Sequence, residues 1–423
     1  VKKTSTRSPL LNIAWVHLIS KKRQTVVAML GVMFGVTVFI FQAGLLTGLQ
    51  SYFIEKTVNT TAHVHIYNDV RVARPNVLDL ESDTASTWTV VRNQKPRDEE
   101  RRLRNGYQIL REIERDARVE GVAPYLGLQG ILRYGMSQQA GTLAGIDVQR
   151  EDQLFHVAEN LIAGELVRME TLPNAVILGS GLAEKLGARL NDNITVISSR
   201  GVSLDMKVVG ISKTGITLQD NSRAYISIRN AQRLLQQSAA YITDINVRLR
   251  DVDVAQSIAT EYQSVFGYKA EDWKAANANV FGIFRIQNLT VLFVIISILV
   301  VSGFGIFNIL MTIIYEKMPD IAILKAMGYR DRDIRRVFLL ESVAIGTTGG
   351  LLGLLLGFIT SKIVGMIPLN IQGFVSVQYL IINFNPLFYL AAFGFALVST
   401  TVAGYFPARK AARFDPVEII RSR

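Results

Sequence analysis

Four histidines and no cysteine are the whole supply of soft metal ligands in this 423-residue chain. His63 and His65 would share one face of a strand. Two ligands fall short of a zinc site, and His17 and His156 stand far from them in sequence. All four read as ordinary surface histidines, and no metal is expected. No G-x-x-x-x-G-K-[ST] loop is present to cradle a phosphate, and no G-x-S-x-G elbow to present a nucleophile. The carboxylates Asp147, Glu151 and Asp152 read as a solvated face. What remains is chemistry between surfaces. Glu316, Lys317, Asp320 and Lys325 can make charge-assisted contacts to a partner, while Ile321 and Leu324 can fill an apolar groove. Pro319 suits the first turn of a helix and Gly328 its end. The segment 316–328 is therefore expected to be a short, well-bounded helix that docks a partner.

The elements flanking that helix are apolar. A hydrophobic fraction of 49%, with positive mean hydropathy, is high for a soluble chain. A hydrocarbon core of about 30 Å needs roughly 20 apolar residues in a helix. Residues 26–50, 289–315, 337–367 and 387–406 meet that, which predicts four transmembrane helices. The first is too long for the apolar core of a signal peptide and lacks a cleavage site, so it is expected to stay as an anchor. Lys and Arg crowd three places: residues 1–25, the segment 316–336 and the tail 407–423. By the positive-inside rule these are cytoplasmic, and residues 51–288 and the short loop 368–386 lie outside. The net charge of +11 is then explained by topology and anionic lipid, with no nucleic acid.

Residues 9–23 alternate at helical spacing, with Leu11, Trp15, Leu18 and Ile19 on one side, and predict a cytoplasmic amphipathic helix. Gly31 and Gly35, and Gly44 and Gly48, are small-xxx-small pairs that permit close helix contact. In the third run Gly346, Gly349, Gly350, Gly353 and Gly357 do the same, and Glu341 reads as an acid at the membrane interface. Outside, a strand at 62–67, a helix around 98–117 and a strand at 121–134 are mirrored by a strand at 242–249, a helix at 252–266 and a strand at 268–273. Two such units predict an α+β layer of ferredoxin-like type with a small β-rich subdomain, about 143–235, inserted into it. Residues 272–288 are helical and lead into the second span as a stalk. The apolar residues Val280, Phe281, Phe284 and Ile286 are a candidate gate for a lipid-like group.

The run 316–328 (EKMPDIAILKAMG), Glu341, the glycine series and the tail 406–416 (FPARKAARFDP) together resemble the FtsX/MacB-type permease subunits of ABC transporters. The order of one span, a large external domain and three further spans is similar across the whole chain. Residues 176–187 (VILGSGLAEKLG), 223–228 (RAYISI) and 272–277 (DWKAAN) are similar to the lipoprotein-releasing permeases of the LolC and LolE type. The resemblance implies an α-helical membrane protein with four transmembrane helices and a large α+β extracytoplasmic domain, its ferredoxin-like porter layer carrying the β-rich insert. It implies a permease in the bacterial inner membrane without its own nucleotide site, ATP and Mg bound by a partner ATPase, and a second permease subunit, alike or paralogous. About 25 residues precede the first span, where MacB carries its ATPase, so the ATPase is expected to be a separate protein.

Mechanotransmission would then extract or export a hydrophobic or lipid-anchored substrate towards the periplasm or outer membrane. In the lipoprotein-releasing type an extended loop of the insert meets a carrier; the corresponding hairpin here is only 199–205. Efflux with a periplasmic adaptor and an outer-membrane channel, and FtsX-like signalling to a cell-wall hydrolase, are the alternatives.

Overall fold

The computed structural model describes residues 9–20, 22–69, 101–372 and 376–414. Four helices in it are long and apolar enough to cross a membrane: Lys22–Thr60, Ala278–Glu316, Asp331–Met366 and Pro386–Ala412. Each outruns its apolar core. The first two have 39 residues each, about 58 Å of helix at 1.5 Å per residue and nearly twice a hydrocarbon core. The fourth does not stop at Pro407, as its sequence predicts, but carries that buried proline inside it to Ala412. A proline forfeits one helical hydrogen bond. Buried Ala408 and Ala411 on the same stretch supply packing that offsets the loss.

The chain falls into two compact units. The helical unit comprises Val1–Tyr52, Gly282–Asn370 and Val377–Arg423. Ala28, Val32, Val36 and Ile40 of the first long helix meet Ile306, Leu310, Ile345, Ala392 and Ala396 in its core. The N-terminal helix Pro9–Ser20 exposes Val16 and Ile19 and buries Ala14; the side chains of Leu11 and Trp15 lie outside the described residues, as does the tail from Asp415 onward.

The α/β unit, Phe53–Phe281 with Ile371–Ser376, is built on one mixed sheet. Its strands are β1 (Val64–Tyr67), β2 (Val119–Tyr134), β3 (Ser137–Ile146), β4 (Leu161–Gly164), β5 (Ala175–Gly179), β6 (Asn193–Ser198), β7 (Ser203–Ser212), β8 (Arg223–Ser227), β9 (Asp244–Leu249) and β10 (Lys269–Asp272). The order β10-β1-β9-β2 with all neighbours antiparallel is the ferredoxin-like arrangement. Helices Gly106–Ile113 and Ala255–Phe266 cover one face, where Leu110, Ile113, Ile258 and Tyr262 pack on Val64, Ile66, Ile245 and Val247. Of the helix expected at 98–117, the residues through 100 lie outside the described ones and the helix itself is Gly106–Ile113.

The sheet does not end at β2. That strand has 16 residues, and its second half pairs with β3 and β6, after which the sheet continues β3-β8-β5-β7-β4. The inserted elements thus extend the ferredoxin-like sheet. They begin at the β2–β3 hairpin, before the expected start at 143. The first half of β3, Ser-Gln-Gln-Ala-Gly-Thr, lacks apolar alternation, so its pairing came from β2 and not from its own pattern. The external loop expected at 368–386 contains two further strands, β11 (Pro368–Gln372) and β12 (Ser376–Tyr379).

Candidate functional site

The helix Met318–Ala326 is set by its ends. Pro319 occupies the first turn, and Gly328 follows at φ +95°, a conformation that favours a residue without Cβ. Lys317 Nζ pairs with Asp320 at 2.8 Å. Ile321 and Ala322 are each 1% exposed, and Ile321 and Leu324 pack against Ile313, Ile314, Ile334, Phe338, Ala408 and Ala411. Ile321 and Leu324 therefore do not reach outward to a partner, as the sequence predicts. They hold the helix to the bundle.

Lys325 is turned inward too. Its ammonium donates to the carbonyls of Ala412 at 2.6 Å and Phe414 at 2.9 Å, and pairs with Asp331 at 2.8 Å. Three donors meet three acceptors within the chain. The opposite face carries Asp320, about half exposed, Ile323 at 57% and Met327 at 70%. Asp320 and Ile323 stand at i and i+3 on one stripe of the helix, and Met327, its C-cap, follows at i+7 just past the helix end. Glu316, the last residue of the helix Ala278–Glu316, lies 3.5 Å from the Gln24 amide. Ile323 and Met327 are missing from the sequence-derived set, although their spacing from Asp320 was a usable signal.

Behind this helix the glycines of Asp331–Met366 divide into two rows. A Cβ on Gly349 would lie 2.9 Å from the Met29 carbonyl oxygen and 3.0 Å from Val32, one on Gly353 2.8 Å from the Met33 oxygen and 2.7 Å from Val36, and one on Gly357 3.1 Å from Ile40. Gly346 and Gly350 instead face Thr400, Phe393 and Ala396 of the fourth helix. One row seats the first helix and the other the fourth. Gly44 and Gly48 accommodate the chain at Ile381–Asn383 rather than a second helix, and the Asn383 N–H donates to the Gly44 carbonyl at 2.9 Å. Glu341 is 1% exposed, inside the packing of its helix and not at an interface. Among the candidate gate residues, Phe281 stands edge-on to Trp273 with centroids 5.6 Å apart, Val280 and Phe284 are half-buried, and Ile286 is exposed.

In the α/β unit two further readings are corrected. His63 is buried, not superficial. Its Nδ1 accepts from the Leu249 N–H at 3.0 Å and its Nε2 lies 3.1 Å from the Val58 carbonyl, which places the ring proton on Nε2. Burial lowers its pKa from the ordinary histidine value. His65 pairs with Asp244 at 2.9 Å. No group of three potential ligands comes together among the described residues. Glu151 is no part of a solvated face. It is 6% exposed, its Oε2 has no hydrogen-bond partner, and burial pushes its carboxyl up to about 8 against the opposing pull of Arg223.

The sequence signature of the MacB-like periplasmic core domain matches residues 25–265, and that of the FtsX-like permease C-terminal region matches residues 292–416. The chain is 24% identical to the lipoprotein-releasing system transmembrane protein LolC of Xylella fastidiosa, over 93% of this chain and 92% of that protein. It is 24% identical to the LolC protein of Neisseria meningitidis serogroup B, over 96% and 98%. The macrolide export ATP-binding/permease protein MacB 2 of Aeromonas hydrophila is 25% identical, over 71% of this chain and 46% of that one.

Proposed function

This chain belongs to the FtsX/MacB-type permeases of ABC transporters, and from that premise we propose that ATPase subunits drive it by docking on the exposed stripe of Met318–Ala326. ATP and Mg bind those subunits. A second permease, a copy or a paralogue, completes the complex in the inner membrane, with the basic loops and both termini cytoplasmic and the α/β unit periplasmic. Movement of the short helix is transmitted along the long helices to the periplasmic domain, which extracts or exports a hydrophobic or lipid-anchored substrate towards the periplasm or outer membrane.

The observation that carries this reading is the division of one nine-residue helix into two faces. Ile321, Leu324 and Lys325 fix it from behind, and Asp320 and Ile323, with the C-cap Met327 just past its end, are presented. A push on the presented face is delivered to the end of the second long helix, the start of the third and the end of the fourth, because those are what the fixed face touches. Similarity over nearly the whole length of the LolC proteins supports release of a lipidated protein as the work done. The turn between β6 and β7 favours the second reading, efflux through an adaptor and channel. It closes within four residues through Gly201 at φ +79°, with the Ser198 N–H donating to the Val202 carbonyl, and leaves no long loop for a carrier.

The test is co-purification of ATPase subunits from native membranes with the Ile323→Asp/Met327→Asp double variant. A loss of about tenfold or more in retained ATPase is expected, since each aspartate would be desolvated in the apolar contact. Undiminished recovery would sink the docking assignment.

A further inference from the structure

On β1 the residues that alternate with the helix-facing Val64 and Ile66 are His65 and Tyr67, which belong to the other face of the sheet. That face is walled into a cavity of about 690 Å³, within the roughly 300–1,000 Å³ of pockets that hold small ligands. Residues of six neighbouring strands, β10 through β8, line it. Some of the charges on its wall answer one another. His65 pairs with Asp244 at 2.9 Å, and Lys269 pairs with Asp69 at 3.2 Å and with Glu271 at 2.6 Å. Two arginines do not: Arg101 and Arg223 line the same cavity and form no ion pair among the described residues.

The half-buried Arg223 guanidinium meets neutral oxygens instead, Gln219 Oε1 at 3.3 Å and the Tyr225 hydroxyl. Glu151 is close enough for its charge to act on Arg223, but burial pushes that carboxyl up to about 8, so it stays protonated at neutral pH. The arginine keeps its charge without a counter-ion, an arrangement that an entering anion relieves. Donors gather beside it. Register sets Thr142 of β3 next to Arg223 and Gln129 of β2 next to Thr142, in steps of about 4.8 Å. The Gln129 amide donates to Thr142 Oγ1 at 2.9 Å, so the threonine O–H remains as a donor.

The cavity is larger than a bare inorganic anion would fill, and its wall also carries the amides of Asn246 and Asn277. Amides donate and accept at once, as hydroxyl groups require of a partner. From two arginines without acidic partners and a row of donors on one cavity wall, we propose that this cavity binds a small hydroxyl-bearing organic anion, a sugar acid or a sugar phosphate, whose carboxylate or phosphate is held by Arg223, Thr142 and Arg101. The planar fork of arginine matches either group. The site is independent of the stripe on Met318–Ala326, so either assignment can fail alone.

The test uses the full chain in phosphatidylcholine nanodiscs, titrated calorimetrically with glucuronate, glucose phosphate and glucose at one ionic strength. Saturable heat is expected with an anion and not with glucose, and whichever anion binds more tightly assigns the carboxylate or the phosphate. Its affinity should fall about tenfold in Arg223→Gln and about threefold in Arg101→Gln, as when a charge-assisted bond is lost. It should hold in Arg115→Gln, whose exposed side chain lies off the cavity wall. No saturable heat at millimolar anion overturns the proposal, as does glucose binding as tightly as either anion. So does an affinity unchanged in Arg223→Gln, or an equal fall in Arg115→Gln. If Arg223→Gln does not fold, the exposed Arg101 decides, and unchanged affinity in Arg101→Gln overturns the proposal.

Discussion

A lysine ammonium carries three donors, and at Lys325 the carbonyls of Ala412 and Phe414 and the Asp331 carboxylate take them. Lys325→Met keeps most of the apolar stem but strands two carbonyls at the end of the fourth helix. Each buried acceptor left unmade costs about 1–3 kcal/mol, so thermal unfolding in nanodiscs should move down by several degrees, and coupling between ATPase and permease should weaken with it. An unchanged melting temperature together with unchanged coupling would show that the lysine is ornamental. His63 makes a different kind of prediction. Its folded pKa is lowered by burial, so the unfolded chain takes up a proton that the folded chain refuses. Its stability contribution is present above about pH 6.5 and lost as pH falls through the lower folded value. Glu151 acts in the opposite sense, because its raised value makes stability highest in acid and lost as pH rises through about 8. Unfolding measured across pH should lose the fall of stability below about pH 6.5 in His63→Gln and the fall between about pH 4.5 and 8 in Glu151→Gln. Neither direction was legible in the sequence, where a lone histidine and a helix carboxylate both look solvated.

At the scale of elements, the limits of the sequence have a specific cause. The segment 316–328 reads correctly as a helix with a start and a stop, since Pro319 and Gly328 are backbone signals. Its facing does not read out. Nine residues make about two and a half turns, and Ile321, Ile323 and Leu324, with Met327 at the cap, ring so short a helix that no apolar side is defined. The neighbours decide which of them is buried, and those neighbours, Ile334, Phe338 and Ala408, come from later in the chain. The glycine series was legible as close packing but not as two rows with different partners. That division yields a graded prediction. Gly353→Val would drive a Cβ to 2.7 Å from Val36 and 2.8 Å from the Met33 carbonyl oxygen. Backbone there cannot yield as a flexible side chain can, and overpacking costs about 1–3 kcal/mol or more. Gly305→Val has nothing within 4 Å of the new Cβ. Expression and thermal stability of the two variants should therefore differ sharply, and equal behaviour would refute the first-helix contact.

Across the whole molecule, four apolar runs and two strand-helix-strand units were enough to foresee the helical unit and the β10-β1-β9-β2 core. Continuation of the same sheet through β3 and β8 was not foreseeable, because parallel β3–β8 pairing joins residues about eighty positions apart. The long helix Ala278–Glu316 poses the remaining question. In its most apolar window only 6% of the residues are buried, against 22–33% in the other three. Lipid is itself apolar, so exposure alone brings no helix a partner. A partner is called for by the proposed mechanism, since a helix that transmits force must bear on something stiffer than lipid. Phe293 and Val300 both lie on its exposed surface, seven residues apart. The chain has no cysteine, so a thiol placed at either position is its only one. Oxidative crosslinking of Phe293→Cys or Val300→Cys in native membranes should give an adduct. A band at twice the chain mass means that two copies face each other, and an adduct of another mass identifies a paralogue. If both thiols stay free while a thiol on the lipid-facing side of the third helix behaves identically, this helix faces lipid and the force passes instead through the first helix, which the glycine row of the third already grips.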